Sequence, residues 1–138
     1  MKRPTETKCP CGSALAYERC CGRWHAGVPA PDAESLMRSR YSAFVMCNEP
    51  YLLATWHGTG RPKSIEFDPN QKWLGLKIVD ACVTGPDTAE VEFIARFRVG
   101  GGSAARLHER SRFLKESGRW FYVDGDIKDR PAPGRSSP

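Results

Sequence analysis

The 138-residue sequence has no apolar run that approaches the roughly eighteen residues needed to cross a membrane. Its first residues, Met1-Lys2-Arg3-Pro4, lead into polar residues rather than into the apolar region of a secretory signal. These two absences favour a cytoplasmic protein with no membrane span. In that reducing environment the six cysteines are expected to bind metal or do redox chemistry, not to form a disulfide framework.

Long runs of one charge are absent as well. The chain carries 21 Lys and Arg against 16 Asp and Glu, a net charge of +5, and its basic residues alternate with acidic ones. Such alternation is typical of a solvated face, whereas nucleic-acid binding needs a concentrated basic patch. The sequence therefore argues against nucleic acid as a partner. At this length we expect one domain of ordinary size with a small appendage.

Motifs for covalent catalysis and for phosphate binding are also missing. No nucleophile motif occurs, and Gly100-Gly101-Gly102-Ser103 lacks the Lys-Ser/Thr ending of a phosphate-binding loop. Because a predicted strand follows these glycines, we expect them to form a flexible hairpin connection. Residues 129–138 are rich in proline and serine and are predicted to be a disordered tail.

What the sequence does contain is a cluster of four cysteines within thirteen positions. Cys9 and Cys11 are separated by one residue, and Cys20 and Cys21 follow after eight more. Four thiolates can surround one Zn²⁺ as a tetrahedron, and such a closed site is structural because no coordination position stays open. A segment of about thirty residues cannot bury enough surface to fold unaided, so metal binding would order it. Structural Zn²⁺ is therefore the predicted cofactor.

Alternatives for these cysteines stay open. The Cys-x-Cys pair and the adjacent pair could act as a redox relay, and His25 could replace Cys21 as the fourth ligand.

The local structure of this segment is also predicted. Ser13 is suited to cap a helical turn over residues 14–18 that brings Cys20 and Cys21 back to the metal, and Gly22 is expected to let the chain turn away afterwards.

The run Cys9-Pro10-Cys11-Gly12-Ser13, Tyr17 and Cys20-Cys21-Gly22 resemble the SEC-C motif, a zinc knuckle named after the carboxyl terminus of the SecA motor. Its pattern is Cys-x-Cys, eight residues, Cys, then His or Cys. The resemblance implies that the zinc ligands are Cys9, Cys11, Cys20 and Cys21. SEC-C knuckles are associated with docking to acidic partners or ribosomes through lysines. This chain has Ala14-Leu15-Ala16 and Glu18 where those lysines commonly lie, which argues against that docking role and leaves metal binding intact.

The next segment predicts two helices. Asp32 is suited to cap a helix that runs to about residue 46. At 100° per residue, Arg40 falls on the apolar side of this helix. A buried guanidinium needs a buried carboxylate or an anionic ligand, because an unpaired one carries a large desolvation cost. A second, short helix is predicted from residue 48 or 49 to about residue 56.

From residue 63 onwards the apolar pattern has a period of two, which is typical of strands. Strands are predicted at residues 63–67, 73–84, 90–99, 106–115 and 120–124. Strands joined by short turns after two helices predict an α+β fold, with the helices on one face of an antiparallel sheet. Alternation along residues 106–115 places Glu109 and Ser111 on the apolar face, so Glu109 is the predicted ion-pair partner of Arg40.

Four segments resemble the YchJ-like bacterial family, which joins a SEC-C knuckle to a nuclear transport factor two-like cone of two helices on a bent antiparallel sheet. They are residues 9–22, 33–44, 51–57 and 108–113. Ketosteroid isomerases and SnoaL-type cyclases share this cone. The resemblance implies a knuckle with its linker at 1–31, a cone at 32–128, and a cavity between helices and sheet.

The candidate cavity residues are Arg40, Tyr41, His57, Glu109 and Ser111. We expect a zinc-binding, non-catalytic adaptor whose knuckle contacts a protein partner and whose cone forms a homodimer surface or binds a small ligand. The alternative is a small-molecule enzyme of the isomerase or hydrolase type. His57 or Glu109 would be its general base, with Tyr41 donating to a developing oxyanion. The isomerases use a buried Asp base, and Asp80 is the one acid in the long predicted strand of this chain. An open cavity with a polar group left free would favour this alternative, and an Arg40–Glu109 pair in a filled interior would favour the adaptor.

Overall fold

The computed structural model describes residues 7–128 of the chain. The predicted tail at 129–138 lies outside these residues, as do the first six. The elements in chain order are a 3₁₀ turn at Tyr17–Arg19, α1 at Cys21–His25, α2 at Ala33–Val45, α3 at Glu49–Ala54, β1 at Gln71–Gly85, β2 at Thr88–Val99, β3 at Ala105–Glu116 and β4 at Arg119–Ile127.

Both predicted helices begin at polar caps. Asp32 has an extended backbone, and its carboxylate accepts a hydrogen bond of 2.7 Å from the Ser35 N–H at the start of α2. The Asn48 side chain accepts from the Tyr51 N–H at the start of α3. None of the helices in this described part of the chain has the length and apolar character needed to cross a membrane.

Helix α3 ends about two residues earlier than predicted, because the chain leaves it to pair with β4. The carbonyl of Thr55 accepts from the Tyr122 N–H at 2.8 Å, and the His57 N–H donates to the Tyr122 carbonyl at 2.7 Å. These two bonds form a parallel bridge between Trp56 and Tyr122. The end of α3 is thereby fixed to the sheet.

The four strands form one antiparallel sheet in the order β1-β2-β3-β4, so each strand pairs with its neighbour in sequence. Three register shifts interrupt the pairing of β1 with β2, and such bulges bend a strand and increase its twist. The helices and the antiparallel sheet confirm the predicted α+β class.

The predicted strand at residues 63–67 is wrong, because this segment is a loop across the helices. Its Ile65 N–H donates to the Glu49 carboxylate at 2.8 Å, and its Phe67 ring packs edge-on against Phe44 in α2 with centroids 6.3 Å apart. These two contacts are thus made to helices rather than to a neighbouring strand.

The core lies between α2 and the inner face of the sheet. Its buried members include Leu36, Met37 and Tyr41 from α2, Val91, Phe93 and Ala95 from β2, and Phe113 from β3. The buried positions of β2 alternate, as the sequence pattern predicts. Cys9, Cys11, Cys20 and Cys21 belong to the same buried cluster, so the knuckle packs on the domain instead of hanging from a free linker.

The predicted local structure of the knuckle needs correction. The helical turn begins at Tyr17 rather than at residue 14, and Ser13 does not cap it. Gly22 lies inside α1 instead of following the last turn. A Cβ atom at Gly22 would lie 2.7 Å from the Tyr17 carbonyl oxygen, so glycine allows α1 to pack against the 3₁₀ turn.

Replacing Gly22 with Ala should lower the free energy of unfolding of the metal-loaded chain by about 1–3 kcal/mol, because the new methyl group must displace the Tyr17 carbonyl or α1. Gly58→Ala is the matched control, since nothing lies within 4 Å of an added Cβ there. Urea denaturation followed by tryptophan fluorescence measures both variants. Equal stability of G22A and the wild type would contradict the packing.

Candidate metal centre and ligand cavity

The four sequence-predicted ligands meet at one point. The sulfur atoms of Cys9, Cys11, Cys20 and Cys21 all lie within 4.8 Å of one another, and all four residues are buried. Ligands about 2.3 Å from a tetrahedral metal are about 3.8 Å apart. The Cys11 and Cys20 sulfurs are separated by 3.6 Å, so the cluster has the size and the donor set of a four-thiolate site and could hold one metal ion.

Short backbone hydrogen bonds shape this site. The Gly12 N–H donates to the Cys9 carbonyl at 3.3 Å, and the Cys9 N–H donates to the Leu15 carbonyl at 2.8 Å. Gly12 has φ of +87°, a conformation that favours glycine. The resulting tight turn places the Cys9 and Cys11 thiols on the same side of the backbone. The Cys20 N–H donates to the Tyr17 carbonyl at 2.9 Å, and this turn brings Cys20 and Cys21 back to the first two cysteines.

The surroundings of the cluster favour a thiolate at Cys11 and protonated thiols at Cys20 and Cys21. The hydrogen bond from Cys21 lowers the pKa of Cys11 to about 4, so a thiolate is present at neutral pH. Donating that proton raises the pKa of Cys21, and burial raises the pKa of Cys20. The Ser13 hydroxyl lies 3.0 Å from the Cys20 sulfur. A bound cation would therefore displace protons from the last two cysteines.

Helix α2 supplies a second layer of contacts to the knuckle. Its Ser42 hydroxyl lies 3.4 Å from the Cys9 sulfur, and the Arg38 guanidinium donates from Nη1 to the Cys11 carbonyl at 3.0 Å. Groups that bond to metal ligands orient them and tune their affinity. The domain therefore completes the surroundings of the cysteine cluster.

His25 belongs to this interface and is not part of the four-cysteine cluster. Its Nε2 lies 2.8 Å from the Ser39 carbonyl and must donate to it, so Nδ1 accepts from the Tyr17 hydroxyl at 2.6 Å. This arrangement fixes the neutral tautomer and joins the 3₁₀ turn, α1 and α2. Burial lowers the pKa of His25.

A cavity of about 250 Å³ lies between α2 and the inner face of the sheet. Most of its wall is apolar and aromatic, with a few polar side chains. The lining residues are Met37, Arg40, Tyr41, Phe44, Trp56, Trp73, Phe93, Ala95, Leu107, Glu109, Ser111 and Tyr122. Four of the five sequence-predicted cavity residues are therefore brought together.

Arg40 is 3% exposed, yet no carboxylate of the described residues forms an ion pair with it. Its Nη1 donates to the Leu52 carbonyl at 2.9 Å and to the Thr55 hydroxyl at 2.7 Å. The guanidinium also lies over the rings of Trp56 and Tyr122, 5.0 and 4.6 Å from their centroids. Burial lowers the pKa of Arg40 to about 10, which leaves it charged at neutral pH.

Glu109 shares the cavity with Arg40, but their predicted direct pair is wrong. The Glu109 Oε2 atom accepts from the Ser111 hydroxyl at 2.9 Å and from the Tyr122 hydroxyl at 3.1 Å. Glycine at position 125 makes room for this carboxylate, because an added Cβ there would collide with it. The Tyr122 side chain thus contacts both charges, with its hydroxyl on Glu109 and its ring against Arg40.

The remaining candidates have different surroundings. Tyr41 is buried with its ring edge-on to Trp73 at 5.7 Å, and burial raises the pKa of its phenol. His57 is not among the residues that line the cavity, since its Nε2 lies 2.9 Å from the Glu116 carboxylate outside it. Asp80 is exposed and pairs with Arg110 at 3.1 Å.

Sequence reasoning missed Trp56 and Tyr122. Alternation along β4 could have placed Tyr122 on the inner face, whereas the Trp56 position depends on the bridge to β4, which has no local pattern. The Trp56 Nε1 atom is buried without a hydrogen-bond partner, the one such side-chain atom among residues 7–128.

Two family models match this chain. Residues 32–125 match the model described as "YchJ, middle NTF2-like domain", and residues 7–23 match the SEC-C motif. A SEC-C motif containing protein from Rhodopseudomonas palustris, solved in solution, has a similar structure with a TM-score of 0.78. Its sequence is 35% identical, and the match covers 89% of this chain and all of that one.

Curated relatives are described as UPF0225 proteins. One from Methylibium petroleiphilum is 59% identical over 129 residues, which are 91% of this chain and 92% of that protein. Another, from Bordetella parapertussis, is 56% identical over 136 residues, covering 93% of this chain and 100% of the relative. A third, from Xanthomonas campestris, is 55% identical over 88% of this chain and 95% of its own length.

Replacing Cys11 with Ser should remove the bound metal ion, because the fully buried position would then offer a weakly binding hydroxyl in place of a thiolate. Metal analysis of reduced protein by inductively coupled plasma mass spectrometry measures the change. Cys47→Ser is the matched control, since Cys47 is exposed and lies outside the cluster. Equal metal content in C11S and C47S would be incompatible with the site.

The buried His25 should make the folded chain sensitive to acid. Its pKa lies below the ordinary value of 6.5 in the folded state, so below about pH 6.5 the unfolded chain binds a proton that the folded chain does not. The free energy of unfolding should therefore fall as the pH drops below 6.5.

His25→Gln should reduce this fall, as measured by urea denaturation in metal-saturated buffer between pH 5.5 and 8. Between pH 7 and 8 the two proteins should show the same pH dependence, which is the internal control. A wild-type and an H25Q chain with equal slopes below pH 6.5 would show that His25 does not contribute.

Proposed function

This chain belongs to the YchJ-like (UPF0225) family, and from that premise we propose that it is a zinc-stabilised protein that binds a small organic ligand in its NTF2-like domain. The observation that carries the ligand half of the proposal is the cavity beside Arg40. A charged guanidinium lines it without a carboxylate partner among the described residues.

The proposed metal is Zn²⁺ because all four donors are cysteine sulfurs. Thiolates favour soft or borderline ions, and tetrahedral four-thiolate sites are typical of structural zinc. When bound, the ion would supply no open position for chemistry. The contacts from Ser42 and Arg38 would hold the ligands in place, so the site is proposed to order the knuckle against α2.

The arrangement in the cavity favours a bound small molecule over a purely structural interior. An interior in which Arg40 and Glu109 satisfied each other would suit a protein that only presents surfaces. Here both side chains line an open space, and each makes its hydrogen bonds to other groups. Cavities with an apolar wall and a few polar groups are the usual form of small-molecule sites.

Catalysis in the same cavity is the alternative function. Glu109 is the one predicted base that lines the cavity, since His57 and Asp80 lie elsewhere. The Ser111 and Tyr122 hydroxyls donate hydrogen bonds to its carboxylate. A protein partner for the knuckle and a homodimer stay predictions, for which the exposed Leu15 and Val28 side chains offer apolar contact area.

Native mass spectrometry of the full chain, prepared reduced and mixed with a set of one- and two-ring compounds, tests the proposal. We expect one Zn²⁺ per chain and a bound compound. Ala95→Leu should abolish compound binding and keep the zinc, because Ala95 is 2% exposed and forms part of the cavity wall. Ala105→Leu, at an exposed position on β3, should keep both. Zinc-loaded chains that bind no compound at millimolar concentration would exclude the ligand function.

A further inference from the structure

We infer that the cavity between α2 and the sheet takes an uncharged molecule of one or two rings, whose polar head carries a hydrogen-bond acceptor next to a donor. The inference rests on the proposed ligand-binding function and assigns the chemical class of its ligand. Size, free hydrogen-bonding groups and charge balance support it independently.

The size and wall of the cavity favour a ring compound. Its volume of about 250 Å³ is the share of roughly eight waters in the liquid, and organic groups pack more densely than water. Besides Arg40, the wall includes the rings of Tyr41, Phe44, Trp73 and Phe93. Aromatic walls of this kind prefer flat apolar bodies, which they contact through ring faces and edges.

Arg40 offers hydrogen-bond donors that no described residue accepts. Both of its hydrogen bonds come from Nη1, so Nε and Nη2 have no partner among residues 7–128. Both atoms retain some accessible surface. Among the described residues, Trp56 Nε1 is the one side-chain nitrogen or oxygen that is fully buried and has no hydrogen-bond partner. A ligand in the cavity therefore meets a donor and needs an acceptor.

Glu109 offers the complementary group. Its Oε2 atom accepts both hydrogen bonds recorded for the carboxylate, from Ser111 and Tyr122, and Oε1 accepts none from the described residues. The side chain lines the same cavity. A ligand head that reaches both charged groups therefore needs a donor beside its acceptor, as in a primary carboxamide.

Charge balance selects an uncharged head. Arg40 and Glu109 contribute one positive and one negative charge to the lining, and the other lining residues are uncharged. An anionic head would gain from Arg40 but lose against Glu109, and a cationic head would meet the reverse. Each would also have to leave water with its charge uncompensated. A neutral head with an acceptor and a donor satisfies both groups without this cost.

Four naphthalene probes with the same ring body test the inference on the zinc-loaded full chain. They carry at the 2-position a carboxamide, a carboxylate, a methyl ketone or an aminomethyl group that is charged at pH 7. Isothermal titration calorimetry should show the carboxamide binding at least about tenfold more tightly than each of the others, because every other head leaves a group unpaired or adds a charge.

Glu109→Gln sharpens the test because it removes the negative charge while keeping an oxygen that can accept from Ser111 and Tyr122. In this variant Arg40 becomes the uncompensated charge of the lining. The ratio of carboxylate to carboxamide affinity should rise by at least about tenfold over the wild type. Glu116→Gln is the matched control on the same strand, because Glu116 pairs with His57 and does not line the cavity; its ratio should equal that of the wild type.

The outcomes distinguish failure of the inferred ligand class from failure of the proposed ligand-binding function. Tightest binding of the carboxylate or the ammonium probe by the wild type would overturn the inference, as would an unchanged ratio in E109Q; both results leave ligand binding intact. Failure of all four probes to bind a folded, zinc-loaded wild type would overturn the inference together with the proposed function.

Discussion

The contact between the cysteine knuckle and helix α2 is the constraint on which the other features depend. Four buried thiols lie against a helix that places Ser42 beside a sulfur and Arg38 on the Cys11 carbonyl. Between Arg38 and Ser42 in the sequence, Arg40 and Tyr41 line the cavity. One element of thirteen residues therefore sets both the surroundings of the cysteine cluster and a wall of the cavity.

The buried Arg40 shows how the fold tolerates a cation in its interior. A carbonyl at the end of α3, the Thr55 hydroxyl and two aromatic rings replace its water shell. None of these groups neutralises the charge, so it remains available to anything that enters the cavity. The Tyr122 side chain contacts Arg40 through its ring and Glu109 through its hydroxyl, and the two charged groups form no direct ion pair.

The α+β fold and the cysteine cluster followed from the sequence because their patterns are local. Alternation along β2 and β3 fixed which side chains face inwards, and the Asp32 cap fixed the start of α2. The Arg40–Glu109 pair failed because alternation gives the face of a side chain but not its partner. Likewise, the bridge that brings Trp56 to Tyr122 joins residues far apart in sequence, and the loop at 63–67 is held by contacts to helices.

The shared helix has a thermodynamic consequence. Any occupant of the cavity that requires Arg40 and Tyr41 in their present positions would favour the form of α2 that a metal-loaded knuckle would stabilise. Linkage is reciprocal for binding free energies, so the same occupant would raise the affinity of the cysteine cluster for an ion without touching that cluster. Metal binding at the cysteines and ligand binding in the cavity would then be coupled through the position of α2.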